Sequence, residues 1–208
     1  MKEKKALIEY WRNSKIIMSK AILRAFEEIN REDFVLPEYR KYAYVDEPLP
    51  TFADQTISQP TTVAIMTQAL EPKPGQKILE IGSGSGYQAA ILSEIVGPTG
   101  KVITIERIKD LAEFAKKNLK TYKNVKVVYA DGSKGYIKEA PYDRIIVTAA
   151  AKKMPEVLFE QLKENGIMII PVGALTWAQR LLKVKKVRGK KGIEDLGPFV
   201  FVPLVGSS

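Results

Sequence analysis

The sequence predicts an α/β protein with a doubly wound, mostly parallel sheet. Short apolar runs of strand length alternate with helical stretches between residues 77 and 171, and this alternation favours parallel strands with helices on both faces. One run passes directly into three alternating glycines, Gly82, Gly84 and Gly86, and then into a helical pattern. After Pro171 strand follows strand, which predicts an antiparallel hairpin at one sheet edge.

The individual elements follow from apolar periodicity. Strands are expected at residues 78–81, 101–106, 125–130, 143–148 and 167–171. Helices are expected at 6–29, in one or two pieces, and at 61–70, 109–121 and 155–163. The C-terminal hairpin strands are expected at 180–187 and 199–204, around a basic Gly-Lys-Lys-Gly turn. Residues 42–60 contain three prolines and predict a long connection without secondary structure of its own.

The 208 residues suffice for a single domain. Within it, residues 1–60 are expected to form an N-terminal helical cover, 61–175 the α/β core and 176–208 the C-terminal hairpin. No apolar run approaches the roughly 20 residues that span a bilayer, and the N-terminus lacks the apolar core of a signal peptide. We therefore expect a cytoplasmic protein.

The chain contains no cysteine and no histidine. Disulfides, zinc sites of the usual ligands, thiol nucleophiles and imidazole bases are thereby excluded, and no metal is expected. Any chemistry must use carboxylates, hydroxyls, lysines, backbone dipoles or a bound cofactor.

The formal charge of +9 is concentrated near the C-terminus. Seven basic residues without an acid lie between positions 180 and 191, and without them the +9 would be +2. They are Arg180, Lys183, Lys185, Lys186, Arg188, Lys190 and Lys191. Such a run can contact nucleic acid, but lysines on an edge strand also prevent unwanted strand pairing, and we favour this second explanation.

The segment Lys77–Tyr87 has the strand–glycine–helix order of a nucleotide-type pocket. A dinucleotide fingerprint would place its third glycine where Tyr87 stands, and the Gly-Lys-Ser/Thr of a P-loop is missing. Glu80 would repel a pyrophosphate and suits a ligand with a cationic or amine end. Glu106 ends the next apolar run, twenty residues after Gly86, where a carboxylate can accept the hydroxyls of a ribose.

This segment resembles motif I of the class I S-adenosylmethionine-dependent methyltransferases. Over nearly its whole length the chain resembles the protein-L-isoaspartate O-methyltransferases, which methylate carboxyl groups to repair damaged aspartyl and asparaginyl sites. The matching segments are Gln55-Thr-Ile-Ser-Gln-Pro60, Ile78–Gln88, Glu106-Arg107, Asp131-Gly132, Pro141–Ala150, Ile170-Pro-Val-Gly173 and Phe201-Val-Pro-Leu204. The resemblance implies a Rossmann-like, seven-stranded methyltransferase sheet.

The resemblance also implies an activity. A methyl group of S-adenosylmethionine would pass to the free α-carboxylate of L-isoaspartyl residues in damaged proteins, with S-adenosylhomocysteine as product. Repair would then begin through a succinimide. The expected partners are isoaspartyl peptides and proteins, and neither a membrane nor nucleic acid.

Site residues are likewise implied by the resemblance, with Ser58 as the active-site residue that directs the acceptor. The cofactor-binding set is Ile57, Ser58, Gln59, Glu80, Gly82, Ser83, Gly84, Gly86, Glu106, Arg107, Asp131 and Gly132. The substrate-binding set is Ser58, Thr148, Val202, Pro203 and Leu204. From the residues alone, Ser58 or Gln59 is also a candidate cap for the helix that follows.

One segment departs from the family pattern. Family members usually continue Pro-Leu-Pro with Ile-Gly, whereas this chain continues Pro48-Leu-Pro50 with Thr51-Phe-Ala-Asp54. The lost glycine bears on the mouth of the site and hence on substrate range.

Two other functions stay open. A methyltransferase acting on RNA or DNA would share fold and cofactor, but amino-methylating enzymes of this fold commonly carry Asn/Asp-Pro-Pro-aromatic after the fourth strand. This chain has Thr148-Ala-Ala-Ala151 there. The other alternative is a non-catalytic protein that binds the nucleotide or isoaspartyl peptides.

Overall fold

A sheet of seven strands forms the centre of the computed structural model, which describes residues 2–174 and 178–206. In chain order the elements are α1 (Lys2–Asn13), α2 (Lys20–Glu28), β1 (Leu49–Pro50), β2 (Thr56–Ile57), α3 (Pro60–Leu70), β3 (Lys77–Ile81), α4 (Tyr87–Val96), β4 (Lys101–Glu106), α5 (Lys109–Asn118), β5 (Val125–Tyr129), β6 (Tyr142–Val147), α6 (Glu156–Glu160), β7 (Leu162–Val172), β8 (Gln179–Val187) and β9 (Lys190–Phe199). Short 3-10 helices cover Arg31–Asp33, Pro37–Tyr42, Gly132–Lys134 and Ile137–Glu139.

The strand order in this sheet is β5-β4-β3-β6-β7-β8-β9. The strands from β5 to β7 pair in parallel, and β8 and β9 continue the sheet antiparallel. The predicted fold class is therefore confirmed. Because β3 has β4 on one side and β6 on the other, the direction of winding reverses at β3, and ligands of open α/β sheets bind at such a reversal.

Alternate residues of β3 enter two different hydrophobic clusters. Ile78 packs with Phe26 and other residues of the N-terminal helices, whereas Leu79 and Ile81 pack with Leu158 of α6. Successive side chains of a strand point to opposite faces. Helices consequently cover both faces of the sheet.

The N-terminal helices share a cluster with the sheet, which supports the proposal that the chain forms one domain. Trp11 of α1 and Ile22 of α2 belong to the same cluster as Ile78 and Ile146 of the central strands. The expected boundary between residues 175 and 176 lies outside the described residues. Among the helices that the structure describes, none has the length and apolar character to cross a membrane.

The C-terminal hairpin is confirmed, but the position of its second strand is wrong. β8 pairs with Lys190–Phe199 and not with residues 199–204. The tight turn is Arg188-Gly189, both with positive φ, as hairpin turns of two residues require. The strand was missed because its first half is charged and exposed. It follows that β9, and not the basic strand β8, forms the edge of the sheet.

The expectation of a structureless connection at 42–60 is also wrong. β1 and β2 form a small antiparallel ladder, with Leu49 opposite Ile57. The tip that joins them is a turn in which the Gln55 N–H donates to the Phe52 carbonyl at 3.2 Å. The hairpin was not predicted because its two strands have only two residues each, and one of them contains a proline. Strands this short show no apolar periodicity in the sequence. We call residues 49–57 the β1–β2 hairpin.

The remaining differences concern element ends. The helical stretch expected at 6–29, in one or two pieces, forms two helices and begins earlier, at Lys2, while the helix expected at 155–163 is only the short α6. β7 begins at Leu162, five residues before the expected start, because Lys163 and the exposed residues that follow it interrupt the apolar run. The other core strands and helices lie within a few residues of their predicted positions.

Candidate active site

A cavity of about 1190 Å³ opens at the carboxyl ends of β3, β4 and β6. Its wall includes the glycine loop after β3, the end of the β1–β2 hairpin, the first turn of α3 and the C-terminal tail after β9. Fourteen of the predicted site residues line it: Ile57, Ser58, Gln59, Glu80, Gly82, Ser83, Gly84, Glu106, Arg107, Gly132, Thr148, Val202, Pro203 and Leu204. The structure thus brings together segments that are far apart in sequence.

Gly82 begins the glycine loop in a conformation that favours glycine. Its φ is +95°, and a Cβ atom at this position would lie 2.3 Å from the Thr148 hydroxyl oxygen. That hydroxyl is within hydrogen-bond distance of the carbonyls of Ile81 and Gly82, at 3.0 and 2.9 Å. The ends of β3 and β6 therefore approach each other as closely as they do because position 82 has no side chain.

Glu106 is held by three backbone N–H groups. Its Oε2 accepts from Gly84 at 3.0 Å, and its Oε1 accepts from Arg107 at 2.8 Å and from Ile108 at 2.9 Å. An ionised carboxylate offers about four acceptor positions. One position therefore stays available on a carboxylate that is already oriented at the cavity wall.

Glu80 is fully buried in the sheet. Among the described residues, neither of its carboxylate oxygens has a hydrogen-bond partner. Burial, with a smaller contribution from the charge of Glu106, raises the pKa of Glu80 to about 8, while the neighbouring Thr104 acts in the opposite direction. A buried carboxyl without a partner fits a ligand that brings a cationic amine.

Gly86 and Asp131 lie off the cavity wall. Gly86 caps α4 with φ +89°, and a Cβ atom there would lie 2.8 Å from the side chain of Leu119, so helix packing explains this glycine. Oδ1 of Asp131 accepts from the backbone N–H and the hydroxyl of Ser133, at 2.9 and 2.7 Å. Their assignment to the cofactor stays a prediction.

The segment of Ser58 enters the cavity just before α3. The N-cap of α3 is Gln59, so Ser58 is not the capping residue. The first turn is instead held by Asp46, whose carboxylate accepts from the Thr61 N–H at 2.9 Å and from the Thr61 hydroxyl at 2.7 Å. This leaves Ser58 on the wall without a capping role.

The C-terminal tail forms another part of the cavity wall. The Ala150 N–H donates to the Val202 carbonyl, and the Leu204 N–H donates to the Ala150 carbonyl, both at 2.8 Å. The tail therefore runs beside the end of β6, and Val202, Pro203 and Leu204 line the cavity from there.

Several wall residues were not predicted. Tyr87 and Gln88 belong to the first turn of α4, and the Gln88 amide donates to the Thr67 hydroxyl of α3 at 3.0 Å. Their position directly after the glycine motif could have identified them as residues of the cavity wall. Pro48 and Gln55 lie in or next to the β1–β2 hairpin, which the sequence did not reveal.

Much of the basic run is occupied by partners within the chain. Lys183 pairs with Glu71 at 2.6 Å and Arg180 with Asp195 at 2.7 Å. Lys191 pairs with Glu156, and Lys186 donates to backbone carbonyls at the end of α6 and the start of β7. These contacts attach β8 and β9 to the rest of the fold.

The fold and the cavity together define the class of protein. The cavity lies where the winding of the mostly parallel sheet reverses, and a glycine loop and two glutamates line it. This arrangement is typical of Rossmann-like methyltransferases. A family model described as Protein-L-isoaspartate(D-aspartate) O-methyltransferase matches residues 2–208. The chain belongs to this family.

Relatives and solved structures agree with this assignment. The chain is 51% identical to the protein-L-isoaspartate O-methyltransferase of Staphylothermus marinus, over 98% of this chain and 94% of that protein. Identity to the Pyrococcus horikoshii protein of the same name is 48%, over 99% and 97% of the two chains. A Plasmodium falciparum protein-L-isoaspartate O-methyltransferase, solved in complex with S-adenosyl-L-homocysteine, superposes with a TM-score of 0.84 at 28% identity, over 97% of each chain.

Proposed function

We propose that the protein transfers a methyl group from S-adenosylmethionine to the free α-carboxylate of L-isoaspartyl residues in proteins. The observation that carries this proposal is one cavity whose wall includes a buried carboxyl without a hydrogen-bond partner among the described residues, the Ser58 segment and the C-terminal tail. Family membership supports the same reaction. The cytoplasmic location expected from the sequence stays a prediction.

The cofactor side of the cavity suits S-adenosylmethionine. Glu80 has no hydrogen-bond partner among the described residues and can receive the amine of the methionine part. Gly82 and Gly84 let the backbone approach, and the free acceptor position of Glu106 can receive a ribose hydroxyl. When bound, this cofactor supplies an activated methyl group on a sulfonium. Among residues 2–174 and 178–206, no cluster of three or more acidic side chains could hold a metal ion.

The acceptor needs no general base from the protein. A carboxylate has a pKa near 4 and is already ionised at neutral pH, so a chain without histidine or cysteine can catalyse its methylation. The task of the protein is to align the carboxylate oxygen with the methyl group, and alignment of this kind can contribute about 7–11 kcal/mol.

Ser58 is proposed to direct the acceptor carboxylate. Its hydroxyl can donate a hydrogen bond to a carboxylate oxygen without neutralising the charge. Val202, Pro203 and Leu204 face the same cavity from the tail, and backbone and apolar groups there suit an extended peptide. Thr148 is engaged with the backbone of the β3 end, so we assign it to shaping the site.

A nucleic-acid substrate has less support. The basic run that favoured it makes several ion pairs and hydrogen bonds within the chain. The segment after β6, Thr148-Ala-Ala-Ala151, offers no aromatic side chain for stacking on a base. The non-catalytic alternative would retain the cavity but transfer no methyl group.

One assay separates these functions. The protein is incubated with methyl-labelled S-adenosylmethionine and either an L-isoaspartyl peptide or bulk tRNA. We expect label in the peptide, in a form that mild base releases as methanol, because the product is a carboxyl ester. Base-stable label in tRNA would support the nucleic-acid function, and no transfer to either acceptor would support a binding protein.

A further inference from the structure

Arg31 is a buried cation that the proposed reaction does not use. It lies in the 3-10 helix after α2, and its side chain is fully buried. None of its three guanidinium nitrogens has a hydrogen-bond partner among the described residues. Burial lowers the pKa of Arg31 to about 10, so the side chain keeps its charge at neutral pH. Burying a charge without a hydrogen-bond partner destabilises the folded protein, and the neighbours of Arg31 show what the charge acts on.

The first neighbour is the aromatic ring of Tyr87. The guanidinium carbon lies 5.3 Å from the ring centroid, within the range of a cation–π interaction. Tyr87 is the first residue of α4, follows the glycine loop directly and lines the cavity. Phe34 packs against the same ring at 5.5 Å between centroids. Arg31 therefore helps to fix the end of the loop that forms the cofactor side of the cavity.

The second neighbour is the segment before α3. The backbone N–H of Arg31 donates to the Tyr44 hydroxyl at 3.2 Å, and the charge of Asp46 favours the protonated guanidinium. Asp46 in turn holds both the N–H and the hydroxyl of Thr61. Thr61 lines the cavity three residues after Ser58. The backbone of Arg31 is thus attached to the segment that leads to the acceptor side, and the charge of Asp46 adds an electrostatic interaction with the guanidinium.

We propose that Arg31 is a positioning residue for methyl transfer: its buried charge holds the glycine loop in register with the segment that carries Ser58. Arg31 itself does not line the cavity, so it acts through Tyr87 and Asp46. The inference rests on the proposed function, because its effect is on the alignment of cofactor and acceptor. Alignment errors near 1 Å can cost about a hundredfold in rate.

The test compares Arg31→Met and Arg31→Lys with the wild type, and with Arg24→Met, an exposed arginine of α2, as matched control. We expect Arg31→Met to lower kcat for an L-isoaspartyl peptide about tenfold or more, with less than about a threefold change in affinity for S-adenosylhomocysteine. Arg31→Lys should restore part of kcat, because an ammonium also interacts with an aromatic ring. Arg24→Met should leave both quantities unchanged.

Asp46→Asn provides a second route if Arg31→Met does not fold. This half-buried position should tolerate the change, and we expect kcat to fall while cofactor affinity stays near the wild-type value. All rates are compared at a temperature where circular dichroism shows each variant to be folded. Arg31→Met with full turnover would overturn the inference, and if that variant does not fold, wild-type kcat in Asp46→Asn would overturn it. A wild type that methylates no isoaspartyl peptide would instead overturn the proposed function.

Discussion

Individual residues of the site differ in how they are held, and this difference sets what each can do. Glu106 is fixed by three backbone N–H groups, whereas the buried Glu80 has no hydrogen-bond partner in the part of the chain that the structure describes. The first arrangement orients an ionised carboxylate, and the second raises the pKa of its carboxyl group to about 8. Both carboxyl groups face one cavity, so their unlike environments favour a ligand with hydroxyls at one end and an amine at the other.

Stability of the ligand-free protein should depend on pH through Glu80. Between pH about 4.5 and about 8, the folded state holds a proton that the unfolded state has released, so the free energy of unfolding falls as pH rises. The total effect is on the order of a few kcal/mol. Glu80→Gln should lack this slope and be more stable than the wild type at pH 8.

Urea unfolding at pH 5, 6, 7 and 8 would measure this effect. Glu94→Gln, which changes an exposed position of α4, serves as the matched control and should retain the wild-type slope. If Glu80→Gln retains it too, the raised pKa of Glu80 is wrong.

Ser58 should affect turnover and not cofactor binding. We expect Ser58→Ala to lower kcat for an isoaspartyl peptide by roughly tenfold, the effect of losing about 1.5 kcal/mol of hydrogen bonding to a charged group. Ser58→Thr keeps the hydroxyl and should retain most of the rate. Steady-state kinetics combined with calorimetry of S-adenosylhomocysteine would measure both quantities. Full turnover by Ser58→Ala would remove Ser58 from its proposed role.

At the scale of elements, the β1–β2 hairpin carries the segment that is expected from the sequence to differ from the family pattern. Phe52, at its tip, meets Phe114 of α5 edge to face at 5.2 Å between centroids. Gln55 of the hairpin and Leu111 of α5 both line the cavity. The tip turn places Ala53 and Asp54 at φ +56° and +55°, which is strained for an alanine. The ring contact therefore holds a strained turn against α5 beside the cavity.

Removing this contact should speed up release of the product cofactor. We expect Phe52→Gly to raise the dissociation rate of S-adenosylhomocysteine several-fold, because the hairpin loses its attachment to α5. Phe114→Ala should have the same effect, and Phe52→Tyr, which keeps the ring, should not. Stopped-flow displacement would measure the rates. Equal rates in Phe52→Gly and the wild type would show that the hairpin does not control release.

The sequence predicted the elements that carry strong local patterns. Apolar runs revealed β3 to β7, and the three alternating glycines revealed the cavity loop, since both signals lie within a few consecutive residues. β9 was not predicted because its first half, Lys190–Glu194, is exposed and mostly charged and so forms no apolar run. The contacts of Arg31 with Tyr87, and of Asp46 with Thr61, join residues that are distant in sequence, and no local pattern announces such pairs.

For the molecule as a whole, the basic residues of β8 and β9 concern the stability of the fold more than the binding of substrate. Lys186 and Lys191 attach the C-terminal hairpin of β8 and β9 to α6, and they also lie over the Phe159 ring, at 5.0 and 5.2 Å from its centroid. Lys185 and Lys190 belong to the same two strands and make a matched pair for comparison. The basic run should therefore contribute to folding more than to substrate binding.

Neutralising these lysines in pairs would test this expectation. Lys186→Gln with Lys191→Gln should lower the melting temperature by a few degrees, as a loss of about 1 kcal/mol would, with kcat on peptides unchanged. Lys185→Gln with Lys190→Gln should change neither. A large loss of methylation that parallels a loss of RNA binding would favour a nucleic-acid substrate instead.

The most direct measurement of the proposed reaction compares kcat/KM for an L-isoaspartyl peptide and for its normal aspartyl twin. The two peptides have the same composition, but the carboxylate of the aspartyl peptide lies one methylene away from the geometry of the isoaspartyl one. Because in-line transfer tolerates little displacement, we expect the isoaspartyl peptide to be preferred by about a hundredfold or more. Equal methylation of the two peptides would contradict the substrate assignment.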